Sequence, residues 1–243
     1  MDTQRGGRVL GGRARAAARR RRWLVMIAGL VVVAGGVTAA IVVPGGPGPA
    51  PVTPDGLITT FQPGELQTVP DACGTVPAAT VQHYLPGQVK QASPLPINGS
   101  AGSACDWTID HAPVYRLVEL NLLAYAPSGL ASGDGSATFA AIDAYGQTLQ
   151  TLQHPPGRSA EPKAIVSTLT RLGDEAFSAT QVFRRGGAVT DVATVVVRYH
   201  NVVVRVTLNG LEHSNRGSYG PVSLSGLSSA ALAFAQAAEA ALH

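Results

Sequence analysis

Between Trp23 and Val43 the chain runs for 21 residues without a charge, WLVMIAGLVVVAGGVTAAIVV, directly behind a cluster of eight arginines. A helix rising ~1.5 Å per residue makes such a run about 30 Å long, the thickness of a bilayer's hydrocarbon core. The interior of a bilayer offers no water to the backbone, so a helix is the expected form. Arg5, Arg8, Arg13, Arg15, Arg19, Arg20, Arg21 and Arg22 stand against one acid, Asp2, in residues 1–22. The positive-inside rule then keeps residues 1–22 cytoplasmic and sends the C-terminal part out of the cytoplasm. The reading is a single-pass membrane protein held in the lipid bilayer through residues 23–43. The run exceeds the ~7–15 residues of a signal-peptide core, which favours an uncleaved signal anchor. The competing reading is a cleaved signal peptide with Val37-Thr38-Ala39 at the processing site.

The charge balance supports this division. The whole chain carries +3, but residues 1–22 carry +7 and the remainder −4. The high isoelectric point belongs to the tail, and nucleic-acid binding is not expected of the folded part. Disorder throughout is excluded by 45% hydrophobic and 14% charged residues. Residues 44–70 form a Pro/Gly-rich linker with five prolines between Pro44 and Pro54. Such a stretch favours extended polyproline geometry and reads as a spacer.

Residues 71–243 read as an extracytoplasmic α+β domain: an antiparallel sheet flanked by helices, preceded by one transmembrane helix and the linker. A helix is expected over 77–85, followed by a Pro/Gly/Ser-rich loop over 86–103 and strands over 104–110 and 115–125. In the second strand Val118, Leu120, Leu122 and Ala124 share a face. Ser136 caps a helix running to Leu152, with Phe139, Ile142, Leu149 and Leu152 as its buried stripe and Gly146 admitting a close neighbour. A further strand lies near 176–183. The strongest β signal is TVVVRYHNVVVRVTLN, residues 194–209. A two-residue turn at His200-Asn201 pairs Tyr199 with Val202, Val197 with Val204 and Val195 with Val206, all on one face. Arg198, Arg205 and Thr207 then share the other. The last helix is expected over 229–242, with Ser228 as its cap.

Cys73 precedes the first helix and Cys105 opens the first strand. In an oxidising compartment they read as one structural bridge closing a loop of about 33 residues, worth ~3–4 kcal/mol by chain entropy. The other reading, a reactive thiol, has no Cys-x-x-Cys spacing behind it. Two cysteines are too few for a cysteine-based zinc site. None of the six histidines forms a His-x-His or His-Glu-x-x-His pair, so no metal or cofactor set is expected. Asp174-Glu175 is the most enzyme-like pair. Adjacent residues in an extended segment point to opposite sides, so a turn at Gly173 with solvated acids is preferred. Arg184, Arg185, Arg198 and Arg205 are candidates for an anion-contact strip, unless Glu119 or Asp191 pairs with them.

Four strings carry a resemblance: Pro70-Asp71-Ala72-Cys73; Ala104-Cys105-Asp106-Trp107; Leu172-Gly173-Asp174-Glu175-Ala176-Phe177; and the Val/Arg hairpin around Asn201. Over residues 70–243 this order resembles the small secreted or lipid-anchored domains of unknown function found in actinobacteria. It is more distantly similar to the extracellular sensor domains of actinobacterial membrane kinases. The resemblance implies a cysteine bridge, an α+β fold and a cell-envelope location. The membrane-proximal cysteine of lipid-anchored members is lacking, so lipid attachment is not implied. The expected function is non-catalytic binding of an envelope protein, glycan or lipid. The alternative is a cell-envelope hydrolase using Asp174, Glu175 or Asp106.

Overall fold

The computed structural model describes residues 58–94, 101–111, 114–128, 134–156, 162–185, 188–213 and 219–243. The basic tail, the expected transmembrane segment and residues 44–57 of the linker lie outside the described residues. No helix among the described residues is long and apolar enough to cross a membrane.

The domain is α+β. In chain order it holds α1 (Ala72–Thr75), α2 (Ala78–Tyr84), β1 (Lys90–Ala92), β2 (Ala101–His111), β3 (Val114–Ala124) and α3 (Ala137–Gln153). Then follow β4 (Ile165–Leu169), β5 (Glu175–Arg185), β6 (Ala188–Tyr199), β7 (Val202–His213), β8 (Tyr219–Pro221) and α4 (Leu224–Ala240). The strands form one antiparallel sheet in the order β1-β2-β3-β7-β6-β5-β4, with β8 paired to the end of β7.

The β6–β7 hairpin takes the expected register: Tyr199 faces Val202, Val197 faces Val204 and Val195 faces Val206. Alternation then sends Val195, Val197, Val202, Val204 and Val206 into one core. Val118, Leu120 and Leu122 of β3 and Cys105, Trp107 and Ile109 of β2 join them there. Helix α4 closes this layer with Leu227, Ala231, Phe234, Ala235 and Ala238. Its small residues let the helix approach the valine surface, and Phe234 sits edge-on to Trp107 with ring centroids 5.3 Å apart. The Cys73–Cys105 disulfide, with Cα atoms 5.0 Å apart, fastens α1 to this face of β2.

A second, smaller core lies on the opposite face. Here α3 places Ala141, Tyr145, Leu149 and Leu152 over Phe177, Ala179, Val196 and Val203. The sheet is thus flanked by helices on both sides.

Several local expectations are corrected. Of the expected α3 stripe, Leu149 and Leu152 pack on the smaller core, but Ile142 is 41% exposed, because Ala141 and Tyr145 face the sheet instead. A Cβ at Gly146 would meet nothing within 4 Å, so this glycine admits no close neighbour. Helix α4 starts before residue 229. Ser223 is its cap and accepts from the Gly226 amide at 3.1 Å. Two serines and a glycine make this turn look like loop, but burial of Leu227 against the sheet overrides their weak propensity. Strand β1 falls inside the expected 86–103 loop, and β4 and α1 had no sequence signal of their own. In the hairpin turn the positive φ is at His200 (49°).

The two glycines differ in what a methyl group would do. Gly173 has φ +54°, and a Cβ there would lie 2.4 Å from the Arg198 carbonyl oxygen and 2.6 Å from Val197 Cγ1. Gly173→Ala is expected to cost about 2 kcal/mol or more. Gly146→Ala is expected to stabilise by about 0.8 kcal/mol, the helix-propensity difference alone. Urea unfolding of both variants under non-reducing conditions checks the opposite signs.

Candidate functional site

The polar chemistry of the domain gathers at the end of the sheet where β6 turns into β7. Arg198, only 8% exposed, is the last inward-facing residue of β6 on the α3 side. Its Nη1 donates to Asp174 Oδ2 at 2.9 Å and to the His200 carbonyl at 3.2 Å, and its Nε donates to Glu175 Oε2 at 2.8 Å. Asp174 Oδ2 also accepts from the His200 amide at 2.7 Å. The two adjacent acids therefore converge on one guanidinium, contrary to the expectation that they diverge. The reason is Gly173, whose left-handed backbone folds Asp174 back so that its own amide donates to the Arg198 carbonyl at 2.8 Å. Leu172 and Ala176 enter the larger core and Phe177 the smaller one. Each residue of the Leu-Gly-Asp-Glu-Ala-Phe string thus has a structural task. Burial pushes the Tyr145 phenol, edge-on to Phe177, up to about 12, with the nearby Glu175 carboxylate adding to the shift and Arg198 opposing it.

Asn201 is a hub that sequence reasoning missed. Its side chain is fully buried. Oδ1 accepts from the Leu66 amide at 2.7 Å, and Nδ2 donates to the carbonyls of Leu66 at 2.7 Å and Tyr125 at 2.8 Å. One amide thus mimics a strand partner for Leu66 and ties the segment before α1 to the sheet. Glu65 adds a second tie: its Oε1 accepts from both the amide and hydroxyl of Thr138 in the first turn of α3. The Ile58 amide donates to the Asp134 carbonyl at 2.9 Å, and Leu66 and Val69 pack on the larger core. Residues 58–70 run along the domain as a strap. The signal available in the sequence was a single asparagine in a turn, which reads as ordinary turn chemistry.

The candidate anion-contact residues do not form one strip. Strand register puts Arg198 and Arg205 on the α3 side with Phe177 and Val196, and Arg184 on the opposite face with Ala176. The Arg185 side chain lies outside the described residues. Arg198 is held by Asp174 and Glu175, and neither Glu119 nor Asp191 is its partner. Arg205 is exposed and close enough to Glu119 to favour its charged form.

Asp106, Glu119 and Thr207 occupy one row across β2, β3 and β7, on the half of the α3-side face whose β2 and β3 residues contribute nothing to the smaller core. Burial holds both carboxyls above their ordinary ranges, and for Glu119 the facing Asp106 adds to the effect. Like charges directly opposite on neighbouring strands repel. Among the described residues no group of three or more His, Cys, Asp or Glu could hold a metal ion.

No protein-family model matches the chain, and no curated protein matches it. Solved structures show a weak likeness, two of them as follows. One is an uncharacterized protein of Mycobacterium smegmatis, the Rv0999 ortholog, at 13% identity and TM-score 0.33, covering 68% of this chain and 97% of that one. The other is LpqN of Mycobacterium tuberculosis, described as involved in cell envelope biogenesis, at 16% identity and TM-score 0.25, covering 54% and 82% respectively.

Two outcomes are expected here. Asn201→Ala leaves three half-buried backbone groups without their partner and is expected to cost about 2 kcal/mol. Limited proteolysis of this variant should cut within residues 58–70 well before the rest of the domain. Glu119 has a folded-state pKa above its unfolded value, so its charged form weakens the fold as pH rises through the carboxylate range. Glu119→Gln should therefore raise stability at neutral pH by about a few tenths of a kcal/mol after solvent screening, seen as a higher melting temperature. The gain should vanish below the ordinary carboxylate range, where the native pair is already protonated. Calorimetry at both pH values reads this directly.

Proposed function

We propose that this protein is a membrane-tethered extracytoplasmic domain that binds a component of the cell envelope without catalysing a reaction. The observation that carries the reading is the Cys73–Cys105 bridge. Disulfides persist in oxidising compartments and are rare in the cytosol. The uncharged run of residues 23–43 and the arginines before it supply the tether and the direction of insertion. The Pro/Gly-rich composition of residues 44–57 suits a spacer between tether and domain. The partner is an envelope protein, a glycan or a lipid. Asp174 and Glu175, the acids most suggestive of chemistry, are engaged with Arg198, which supports a binding role over a catalytic one.

A second reading, an envelope hydrolase, draws on the cross-strand carboxyls Asp106 and Glu119. Two acids held above their ordinary ranges in one site suit general acid chemistry. Loss of reducing-end release from isolated wall material on Asp106→Asn would select it.

The tether and its direction are tested in whole cells carrying a C-terminal epitope. Added protease should remove the epitope without lysis, and thiol reagents should label neither cysteine until a reductant is added. A shielded epitope together with two freely labelled thiols would overturn the location. For the binding role, the detergent-solubilised full chain should retain an envelope component from fractionated membranes and wall; retention of nothing would count against it.

A further inference from the structure

We infer that the outer edge of β4 is a docking edge for an extended segment of a partner protein that carries acidic residues at both ends of its strand. This deepens the binding role proposed above by naming the class of partner. Strand β4 ends the sheet: it pairs with β5 on one side, and no described residue pairs with it on the other. A free edge presents unpaired N–H and C=O groups and is a template for another strand unless it is protected. The opposite edge is protected. There β1 is three residues long and bears Lys90, which is ion-paired to Asp110 at 2.6 Å. Strand β4 is five residues long and uncharged, and just before it the Ala164 amide donates to the Leu152 carbonyl at 2.9 Å. Ala164-Ile165-Val166-Ser167-Thr168-Leu169-Thr170 has no charge and no proline. Val166 packs on the smaller core and Leu169 on the larger one, so β4 is anchored from both faces. Ile165 is left 75% exposed beside the edge, an apolar contact that an added strand would cover.

Charge decides which strand fits. Lys163 and Arg171, both exposed, bracket the uncharged run eight positions apart. Both lie just outside β4, Arg171 in the bend that follows with φ +64°, so acids flanking the ends of an added strand would complement them. A second copy fits poorly. Two β4 strands paired about Ser167 would match Ile165 with a second copy's Leu169. The same arrangement would bring Lys163 towards a second copy's Arg171 at each end, where like charges repel.

The test uses the full chain in detergent micelles and the labelled peptide Glu-Thr-Val-Ile-Thr-Val-Ile-Thr-Glu, read by fluorescence anisotropy. This peptide should bind, and its Lys-flanked counterpart should bind about tenfold or more weakly. The double variant Lys163→Glu/Arg171→Glu changes only exposed residues and should reverse the preference. N-methylation of alternate peptide amides, which removes ladder donors without touching the protein, should abolish binding. Absence of binding, equal binding of both peptides, an unreversed preference, or tolerance of N-methylation would each overturn the inference. A concentration-dependent dimer strengthened by Lys163→Glu alone would overturn it in favour of a second copy. Retention of an envelope component alongside a failed peptide experiment would remove this edge as the site and leave the binding role standing.

Discussion

The β6–β7 hairpin is the element on which the rest of the domain rests. It lies in the middle of the sheet, β3 pairs along nearly the whole length of β7, and both cores are built on its two faces. A one-residue slip would turn Val195, Val197, Val202, Val204 and Val206 from the larger core to the α3 side, and carry Arg198 and Arg205 into the hydrocarbon interior. Each buried valine contributes roughly 1.5 kcal/mol, and a buried unpaired guanidinium costs far more, so the register has no near competitor. The turn end of this hairpin is also where the polar groups collect. Arg198 holds the segment before β5, and Asn201 holds the strap before α1. Segments far apart in sequence are thereby tied to the same two-residue turn.

This arrangement separates the roles of the two sheet faces. The larger core is stapled by the disulfide, filled by Trp107 and Phe234, and closed by α4. The α3 side is only partly filled, and its β2–β3 half bears Asp106 and Glu119 near the exposed Arg205. The sheet ends are equally unlike. One is short and charge-paired at β1; the other, at β4, is uncharged and open among the described residues. The domain thus exposes two unlike features: a polar half-face and an uncharged edge flanked by two basic residues.

Much of the fold was legible in the sequence because periodicity of two is a strong signal where one face is wholly apolar. Val118, Leu120, Leu122 and Ala124 read as one face and are all buried. The hairpin register followed from requiring two strands to agree. Ser136 was legible as a helix cap, and its hydroxyl accepts from the Phe139 amide at 3.1 Å. The start of α4 was not, because Ser223, Ser225 and Gly226 favour loop locally and become helical only when Leu227 is buried. Part of the α3 stripe was misread for a related reason: an alanine can be buried or exposed, and Ala141 carries no pattern until Phe177 and Val196 meet it.

The sequence by itself determined the charge asymmetry about the uncharged run, the α+β character, the central register and the candidate cysteine pair. Each of these follows from local composition or from a period that one strand or helix expresses alone. Only the tertiary structure decided that Asp174 and Glu175 close on one arginine, that Arg184 and Arg198 lie on opposite faces, and that Asn201 grips Leu66, 135 residues away. Those outcomes depend on which strands become neighbours. Neighbour choice is settled by the summed burial of the whole sheet, a quantity that no single segment of chain carries.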